Sequence, residues 1–502
     1  MTWYGDLFWS AFIAFNYLVL FYFVALNGIY LLTSVLAFRQ LRTYARRLKS
    51  IDVEELIASA GAPGVTVIAP AYNEETTCID SVRSLLTLRY PDYEIVLVND
   101  GSRDDTLGCL TEAFDLIPSP RYPTAEIDTA EVRQTYRSRR HPNLCVIDKE
   151  NGGRADALNA GLKFCRTPLF CVIDADSLLE RDALMRVVRP FLEDSRTIGA
   201  GGIIRIANGC TVRGGTVTGV NLPRSLFARF QVVEYFRSFL AGRIGWNALG
   251  ATFIISGAFG IFRRSVVVDA GAYDRDTVGE DMELTIRLHR HCLEQKIPYR
   301  ITFVPDPVLW TEVPETMRDL VRQRDRWQRG LMELLHRHRR MLGNPRYGKI
   351  GLLAYPYLYF FEMLGPIIEF LGYFAIAFAI IAGIASPLWF GSFLLLAIAF
   401  GVAVSIAAVV LEELCFRRYT RFSDLLRLSA LAVFENFGYR QILTYWRMHG
   451  VITYIRGKKG WGGSLERKGF VQESALAGNR TPFQATLQAA AEKETLAAGG
   501  AR

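Results

Sequence analysis

The chain is 502 residues long, room for roughly two to four domains, and half of its residues are apolar. Its mean hydropathy of +0.16 is high for a purely soluble enzyme. The net charge of +8 could suit nucleic acid, but no basic run interleaved with aromatics occurs in the polar middle, so no nucleic-acid partner is expected.

Residues 7–38 form an apolar run with no base until Arg39, longer than the ~20 residues an apolar helix needs to cross a bilayer. It is too long for a signal-peptide core and no small-residue cleavage site follows, so residues 1–40 are expected to remain as a transmembrane helix. Arg39, Arg42, Arg46, Arg47 and Lys49 come next, and the positive-inside rule places this basic flank in the cytoplasm.

Residues 64–345 alternate strand and helix signals. "VTVIAPAYN" is a β-branched run ending in a turn, "TTCIDSVRSLLTL" has helical spacing, and "YEIVLVNDGS" is a second strand closing on Asp-Gly. "NLCVID" and "LFCVIDAD" repeat the strand pattern around the helix "GRADALNAGLKFC". This alternation predicts an α/β fold with a mostly parallel sheet, whose ligands gather at the strand carboxyl ends. The polar, Pro-containing segment 111–141 reads as an inserted surface loop. The eight cysteines show no Cys-x-x-Cys pair and no ligand spacing, and read as small core residues in a reducing compartment.

Two further apolar runs, 363–384 and 388–411, are expected to cross the membrane outward and back to Arg417, Arg418 and Arg421, within a segment 350–415 of interfacial and transmembrane helices. Residues 423–456 are amphipathic; crossing again would leave "RGKKG" outside, so they read as interfacial helices on the cytoplasmic side. The Ala-, Gln- and Thr-rich tail 471–502 is expected to be disordered.

The polar clusters carry the chemistry. In "FCVIDADSLLE", Asp174 and Asp176 stand two apart at the end of an apolar run, on one face and roughly 7 Å apart in an extended chain. Two such carboxylates suit Mg²⁺ or Mn²⁺ held together with a diphosphate, since hard cations take carboxylate and phosphate oxygens. Asp100-Gly101, in "VNDGSRDDT", supplies an acceptor and a turn at another strand end. "KENGGRADALNAG" opens a helix on Gly152-Gly153, where an anion is favoured, and Lys149 or Arg154 adds charge. Glu280-Asp281 begins a helical pattern, which suits capping or a general base. "RQRDRWQRG" sets arginines around Trp327, a pattern for a surface helix or for holding a leaving diphosphate beside a sugar ring.

In order and spacing, "APAYNEE", "VNDGSRDDT", "KENGGRADALNAG", "DADS", "GED" and Gln323-Arg324-Asp325-Arg326-Trp327 resemble the processive, membrane-embedded family 2 glycosyltransferases: cellulose, hyaluronan, chitin and poly-N-acetylglucosamine synthases. The resemblance implies a GT-A (Rossmann-like) cytoplasmic domain flanked by transmembrane and interfacial helices in a bacterial-type inner membrane. It implies inverting transfer from a UDP-sugar to a growing β-linked polysaccharide, with Mg²⁺ or Mn²⁺ as cofactor. Tyr72, Glu74 and Asp100 would contact the uridine, with Lys149 and Arg154 beside the nucleotide-sugar. Asp174 and Asp176 would hold metal and diphosphate, with Asp176 the direct ligand. Asp281, next to Glu280, would be the base, and Arg326 would stabilise the leaving diphosphate. Trp327, with Gln323 beside it, would stack on the acceptor. The segment 457–470, with Trp461, Gly462 and Arg467, resembles a gating loop of hyaluronan and chitin synthases, although Gly463 stands where those have Thr. The Thr common before the Glu-Asp pair is likewise Gly279 here.

Two other readings stand beside this one: transfer of a single sugar to a lipid or short acceptor, and a non-catalytic membrane receptor or scaffold on the same fold. The retention of Asp174, Asp176, Asp281 and Arg326 argues against the second. An oxidoreductase is disfavoured because no Gly-x-Gly-x-x-Gly follows the first strand.

Overall fold

A computed structural model describes residues 3–48, 61–383, 387–458, 460 and 471–472. The first helix, α1 (Trp3–Leu48), carries the N-terminal apolar run. β1 (Val65–Ala71), α2 (Cys78–Leu86), β2 (Tyr93–Asp100) and α3 (Thr106–Phe114) follow in strict alternation. β3 (Leu116–Pro118), β4 (Val132–Ser138), β5 (Leu144–Lys149), α4 (Arg154–Lys163), β6 (Leu169–Ile173) and β7 (Ser177–Leu179) complete the first half. The second half runs α5 (Ala183–Glu193), β8 (Thr197–Ile206), β9 (Thr211–Arg213), β10 (Thr216–Gly219), α6 (Leu226–Tyr235), a π-helical segment (Phe236–Arg243) and α7 (Ile244–Ala248). It closes with β11 (Phe259–Arg263), α8 (Arg264–Asp269), α9 (Glu280–Glu294), β12 (Arg300–Thr311) and α10 (Met317–Arg337).

The main sheet has ten strands in the order β3-β4-β5-β2-β1-β6-β11-β8-β12-β7. Its centre is parallel: β1 pairs with β2 and β6, and β2 with β5. These strands are apolar on both faces because both are covered. Val65, Val67, Ala69, Ile95 and Leu97 enter one core, while Ile68, Val96 and Val98 enter the other with Ala157 and Leu158 of α4.

The sheet is more mixed than its sequence suggests. β11 runs antiparallel to both β6 and β8, and β4 runs antiparallel to β5. The segment 111–141 is not simply a surface loop: it contains the end of α3 and both β3 and β4. β4 lies near the sheet edge with much of its length in contact with water, so it needs few apolar residues and gave no hydropathy signal.

Three stretches among the described residues are long and apolar enough to cross a membrane: Leu7–Arg46, Ile350–Ile381 and Leu394–Cys415. The last two include α11 (Gly365–Ile381) and most of α12 (Pro387–Cys415). Two shorter helices, α13 (Phe422–Phe434) and α14 (Tyr439–Ile455), come after them.

Buried polar contacts join the apolar helices to the sheet and to the π-helical segment. Arg205 of β8 donates to both oxygens of Glu412 in α12, at 2.7 and 2.8 Å. Glu435 accepts from Arg237, from Ser405 Oγ at 2.5 Å and from Arg440 at 2.8 Å. Tyr44 of α1 donates to Asp306 of β12.

Removing one partner of a buried pair strands the other charge. Arg205→Ala should therefore cost about 3–5 kcal/mol, while Arg205→Met combined with Glu412→Leu should recover most of the loss. Denaturation of the detergent-solubilised protein, followed by tryptophan fluorescence, checks both.

Candidate active site

The loops after β1 and β2 lock together at the carboxyl ends of the strands. Asn73 takes a left-handed φ of 56°; its backbone N–H donates to Ser102 Oγ at 3.0 Å, and its Oδ1 accepts from Arg103 N at 2.8 Å. Glu74 N donates to Thr106 Oγ1 at 3.0 Å, and Glu74 Oε2 accepts from Thr77 Oγ1 at 2.6 Å. Tyr72 and Glu74 are half-buried there.

Asp100 is buried, and its carboxylate is fully engaged. It accepts from Lys149 Nζ at 2.6 Å, Gly152 N at 3.0 Å, Gly153 N at 2.8 Å and Asn151 Nδ2 at 3.3 Å. Gly101, at φ 65°, brings this turn so close that a β-carbon would lie 2.8 Å from Asn151 N. Lys149 is wholly buried, with Asp156 Oδ1 at 2.7 Å and the Glu150 carbonyl at 2.5 Å as further partners. Sequence reading set Asp100 and Lys149 against the nucleotide-sugar. In the structure they hold each other, and Asp100 shapes the Gly-Gly turn that opens α4.

Arg154, the first residue of α4, bridges two other acids. Its Nε and Nη2 donate to Asp174 Oδ1 at 3.0 and 2.7 Å, its Nη1 donates to Glu280, and its Nη2 also reaches the Gly257 carbonyl at 2.8 Å. Burial works against this guanidinium's charge, but Asp174 and Glu280 outweigh it and raise its pKa above the ordinary arginine value. Glu280 is buried and serves as an anchor. Asp281 is half-buried; its Oδ2 accepts from Gly257 N and its Oδ1 from Met282 N, both at 2.8 Å.

Asp174 is half-buried, and its Oδ2 carries no hydrogen bond among the described residues. Asp176 is buried, with Ser177 Oγ 3.0 Å from its Oδ1. No group of three or more His, Cys, Asp or Glu side chains among the described residues could hold a metal ion by itself. Two aspartates are nevertheless the protein share that Mg²⁺ takes when substrate phosphates complete its shell, so the donor set fits such a cation.

α10 forms another wall. Arg324 donates to Glu234 of α6 at 2.7 and 2.8 Å and lies 4.4 Å from the ring centre of Trp327, which is 44% exposed. Arg326 is half-buried, and Gln323 is buried with an Oε1 that has no hydrogen-bond partner among the described residues. Asp325 accepts from Arg329 Nε at 2.9 Å and from Thr453 Oγ1 of α14 at 2.7 Å, and Arg329 Nη1 donates to the Gly460 carbonyl at 3.0 Å. Trp461, Gly462 and Arg467, the expected gating residues, lie outside the described residues.

Sequence reasoning missed several supports. Glu234 and Gly257 lie in no motif that was singled out, although "SGAFG" marks a turn before a strand. Gly279 faces Gly330 of α10: a β-carbon on Gly279 would be 3.1 Å from Gly330 Cα, so two bare backbones bring the Asp281 turn against α10. Arg243, at the end of the π-helical segment, keeps a buried Nη1 with no partner among the described residues and rests 3.9 Å from the ring centre of Phe239. Burial lowers its pKa, and the Asp281 charge opposes that shift.

Residues 66–123 match the family described as Glycosyl transferase family 2, and residues 169–411 match Glycosyl transferase family group 2. Between them they cover more than half of the chain. The chain belongs to the family 2 glycosyltransferases. It is therefore an enzyme, and its mixed α/β sheet is of the fold class that the resemblance implied.

The poly-β-1,6-N-acetyl-D-glucosamine synthase of Staphylococcus aureus strain COL is 29% identical to this glycosyltransferase over 326 residues, 64% of this chain and 66% of the relative. The match thus spans just under two thirds of that relative's length. The Staphylococcus epidermidis synthase is 29% identical over 275 residues, 55% of this chain and 56% of the relative. Among solved structures, a mannosyltransferase from Pyrobaculum calidifontis, in complex with GDP-Man and Mn²⁺, superposes with a TM-score of 0.49 at 18% identity. That superposition covers 86% of this chain and 100% of the other.

In this glycosyltransferase α9 also holds a buried carboxylate below the site. Glu283 Oε1 accepts from Arg287 Nε at 2.9 Å and lies 3.2 Å from His338 Nε2. Burial pushes the Glu283 carboxyl up, but the hydrogen bonds with His338 and Arg287 outweigh it and hold the group below the usual carboxylate range. A depressed carboxyl stabilises the fold above its unfolded pKa, and that contribution is lost as pH falls through the folded value. The melting-temperature gap between wild type and Glu283→Gln should be widest near neutrality and shrink below about pH 4. A thermal-melt series across pH measures it.

Proposed function

We propose that this enzyme transfers a sugar from a UDP-sugar to the end of a growing β-linked polysaccharide and passes the product through its own membrane helices. One observation carries the polymerising part of the reading: an exposed Trp327 held under Arg324 on a helix that packs against α14. An elongating chain needs such a stacking platform at each cycle. The similarity to poly-β-1,6-N-acetyl-D-glucosamine synthases supports the same reading and makes UDP-N-acetylglucosamine the first donor to try.

In this reading Tyr72 and Glu74 meet the uridine, and Asp100 and Lys149 act from below by fixing the turn at Gly152-Gly153. Asp281 takes the proton of the acceptor hydroxyl. That oxygen forms the new bond to the donor's anomeric carbon as the bond from that carbon to the phosphate oxygen breaks. The electron pair leaves with UDP, and the carbon inverts. Arg326 offers charge to the leaving diphosphate. Mg²⁺ or Mn²⁺ on Asp174 and Asp176 would offset the negative charge on that diphosphate.

The catalytic domain lies on the cytoplasmic side, where nucleotide-sugars are made, and α1, α11 and α12 cross a bacterial-type inner membrane. α13 and α14 lie along its surface. The exposed Phe422, Leu426, Phe434, Phe437 and Tyr445 support that last placement, because lone exposed aromatics are ordinary but a run of them suits an interface.

The test is purified protein with a panel of UDP-sugars and Mg²⁺ or Mn²⁺, scoring UDP release and product size. Long products from one donor are expected. Trp327→Ala should shorten the product by about ten-fold while UDP release persists, since a lost stacking contact weakens retention of the acceptor. Single additions alone would replace the synthase reading with transfer to a lipid or short acceptor.

A further inference from the structure

Away from the candidate active site, a cavity of about 320 Å³ is lined by Arg290, His336, Arg337, His338, Arg339 and Arg340. Six cationic or potentially cationic side chains in one concavity repel one another unless an anion joins them. Two are already neutralised: Arg290 Nε reaches Glu294 at 3.0 Å, and Arg337 pairs with Asp274. Arg339 and Arg340 are exposed and have no acidic partner among the described residues. His338 is 98% buried by contrast; its Nε2 faces Glu283 at 3.2 Å, and its Nδ1 has no hydrogen-bond partner among the described residues.

The surroundings say what kind of anion. The basic turn is stitched to the start of the apolar stretch Ile350–Ile381, where Gly343 N donates to the Gly351 carbonyl at 2.9 Å. Gly351 is packed so tightly there that a β-carbon would meet the Asn344 carbonyl at 2.4 Å, so the turn and the stretch are held together. Leu352 and Leu353, directly after this joint, are 48% and 46% exposed. Arg346 and Lys349, between the cavity and the apolar stretch, are exposed as well. Arg339 and Arg340, without an acidic partner among the described residues, and the exposed leucines of the stretch joined to their turn offer one place for a phosphate and another for acyl chains.

We propose that this cavity is a binding site for the phosphate headgroup of an acidic phospholipid, with Arg339 and Arg340 on the phosphate and the acyl chains against Leu352 and Leu353. His338 Nδ1 then meets a headgroup hydroxyl or phosphate oxygen that no protein group supplies. The inference rests on the reading of Ile350–Ile381 as a membrane segment and not on which sugar the enzyme uses.

The test uses the full chain, purified in detergent and titrated with phosphatidylglycerol or phosphatidylcholine under native mass spectrometry, with an inorganic phosphate arm. Phosphatidylglycerol should be retained in preference to phosphatidylcholine, and Arg339→Gln with Arg340→Gln should weaken that retention by about ten-fold, since two headgroup charges are removed. A control pair on the far side of the catalytic sheet, Arg83→Gln with Arg89→Gln, should bind like wild type. Equal retention of the two lipids, or undiminished retention by the double variant, would overturn the site. Competition by inorganic phosphate without any preference between lipids would overturn its assignment to lipid. Carbonate washing of membranes tests the premise separately: the wild-type and double-variant chains should both stay in the pellet, and a wild-type chain that washes off removes the membrane reading itself.

Discussion

The bridge made by Arg154 is the constraint on which the site depends. Asp174 from the end of β6 and the adjacent pair Glu280 and Asp281 from the start of α9 bring three carboxylates together. Without a cation between them these like charges would repel and force the loops apart. Arg154 sits at the start of α4, hydrogen-bonded to Asp174 and Glu280 and capped by the Gly257 carbonyl. It leaves Asp174 Oδ2 and the Asp281 carboxylate without a bond to any arginine among the described residues. The acids differ in their surroundings: Glu280 and Asp174 Oδ1 accept from Arg154, Asp176 is buried in the turn after β6 with Ser177 Oγ against it, and Asp281 stands apart on two backbone N–H groups.

The second organising feature is how the sheet meets the apolar helices. A soluble α/β domain on a flexible tether would need only surface contacts. Here Arg205–Glu412 and the Arg237–Glu435–Arg440 cluster are buried, and each joins the catalytic half to helices after residue 387. Buried pairs add little net stability but permit only one register, because any slip leaves a charge unmatched. Asp325 and Arg329 extend the same logic along α10, tying the helix of Trp327 to α14 and to the backbone at Gly460. A motion of the C-terminal segment would therefore be felt beside Trp327.

The parallel centre of the fold was readable because strands buried on both faces must be continuously apolar, as "VTVIAPA" and "LFCVI" are. Motifs were readable because they sit where those runs end. β4 was not, since "VRQTYRS" lies near an edge and satisfies water. Nor was the antiparallel course of β11, because strand direction depends on which connection returns to the sheet and leaves no periodic trace.

Side-chain roles were legible only as far as type. Lys149 has the charge for an anion site, but its burial between Asp100 and Asp156 left no trace in the sequence. Gly279 looked like a departure from a Thr-containing pattern; its contact with Gly330 gives the steric reason a side chain is disfavoured there. Glu234 had no signal, because its partners Arg324 and Tyr439 lie far away in sequence.

The account turns on Asp281 as the group that takes the acceptor's proton. Its most direct test is Asp281→Asn, assayed for UDP release and, separately, for nucleotide-sugar binding by calorimetry. Since asparagine keeps the shape but cannot accept that proton, transfer should fall by about 10²-fold or more while binding stays near wild type. Transfer at the wild-type rate in that variant would contradict the account.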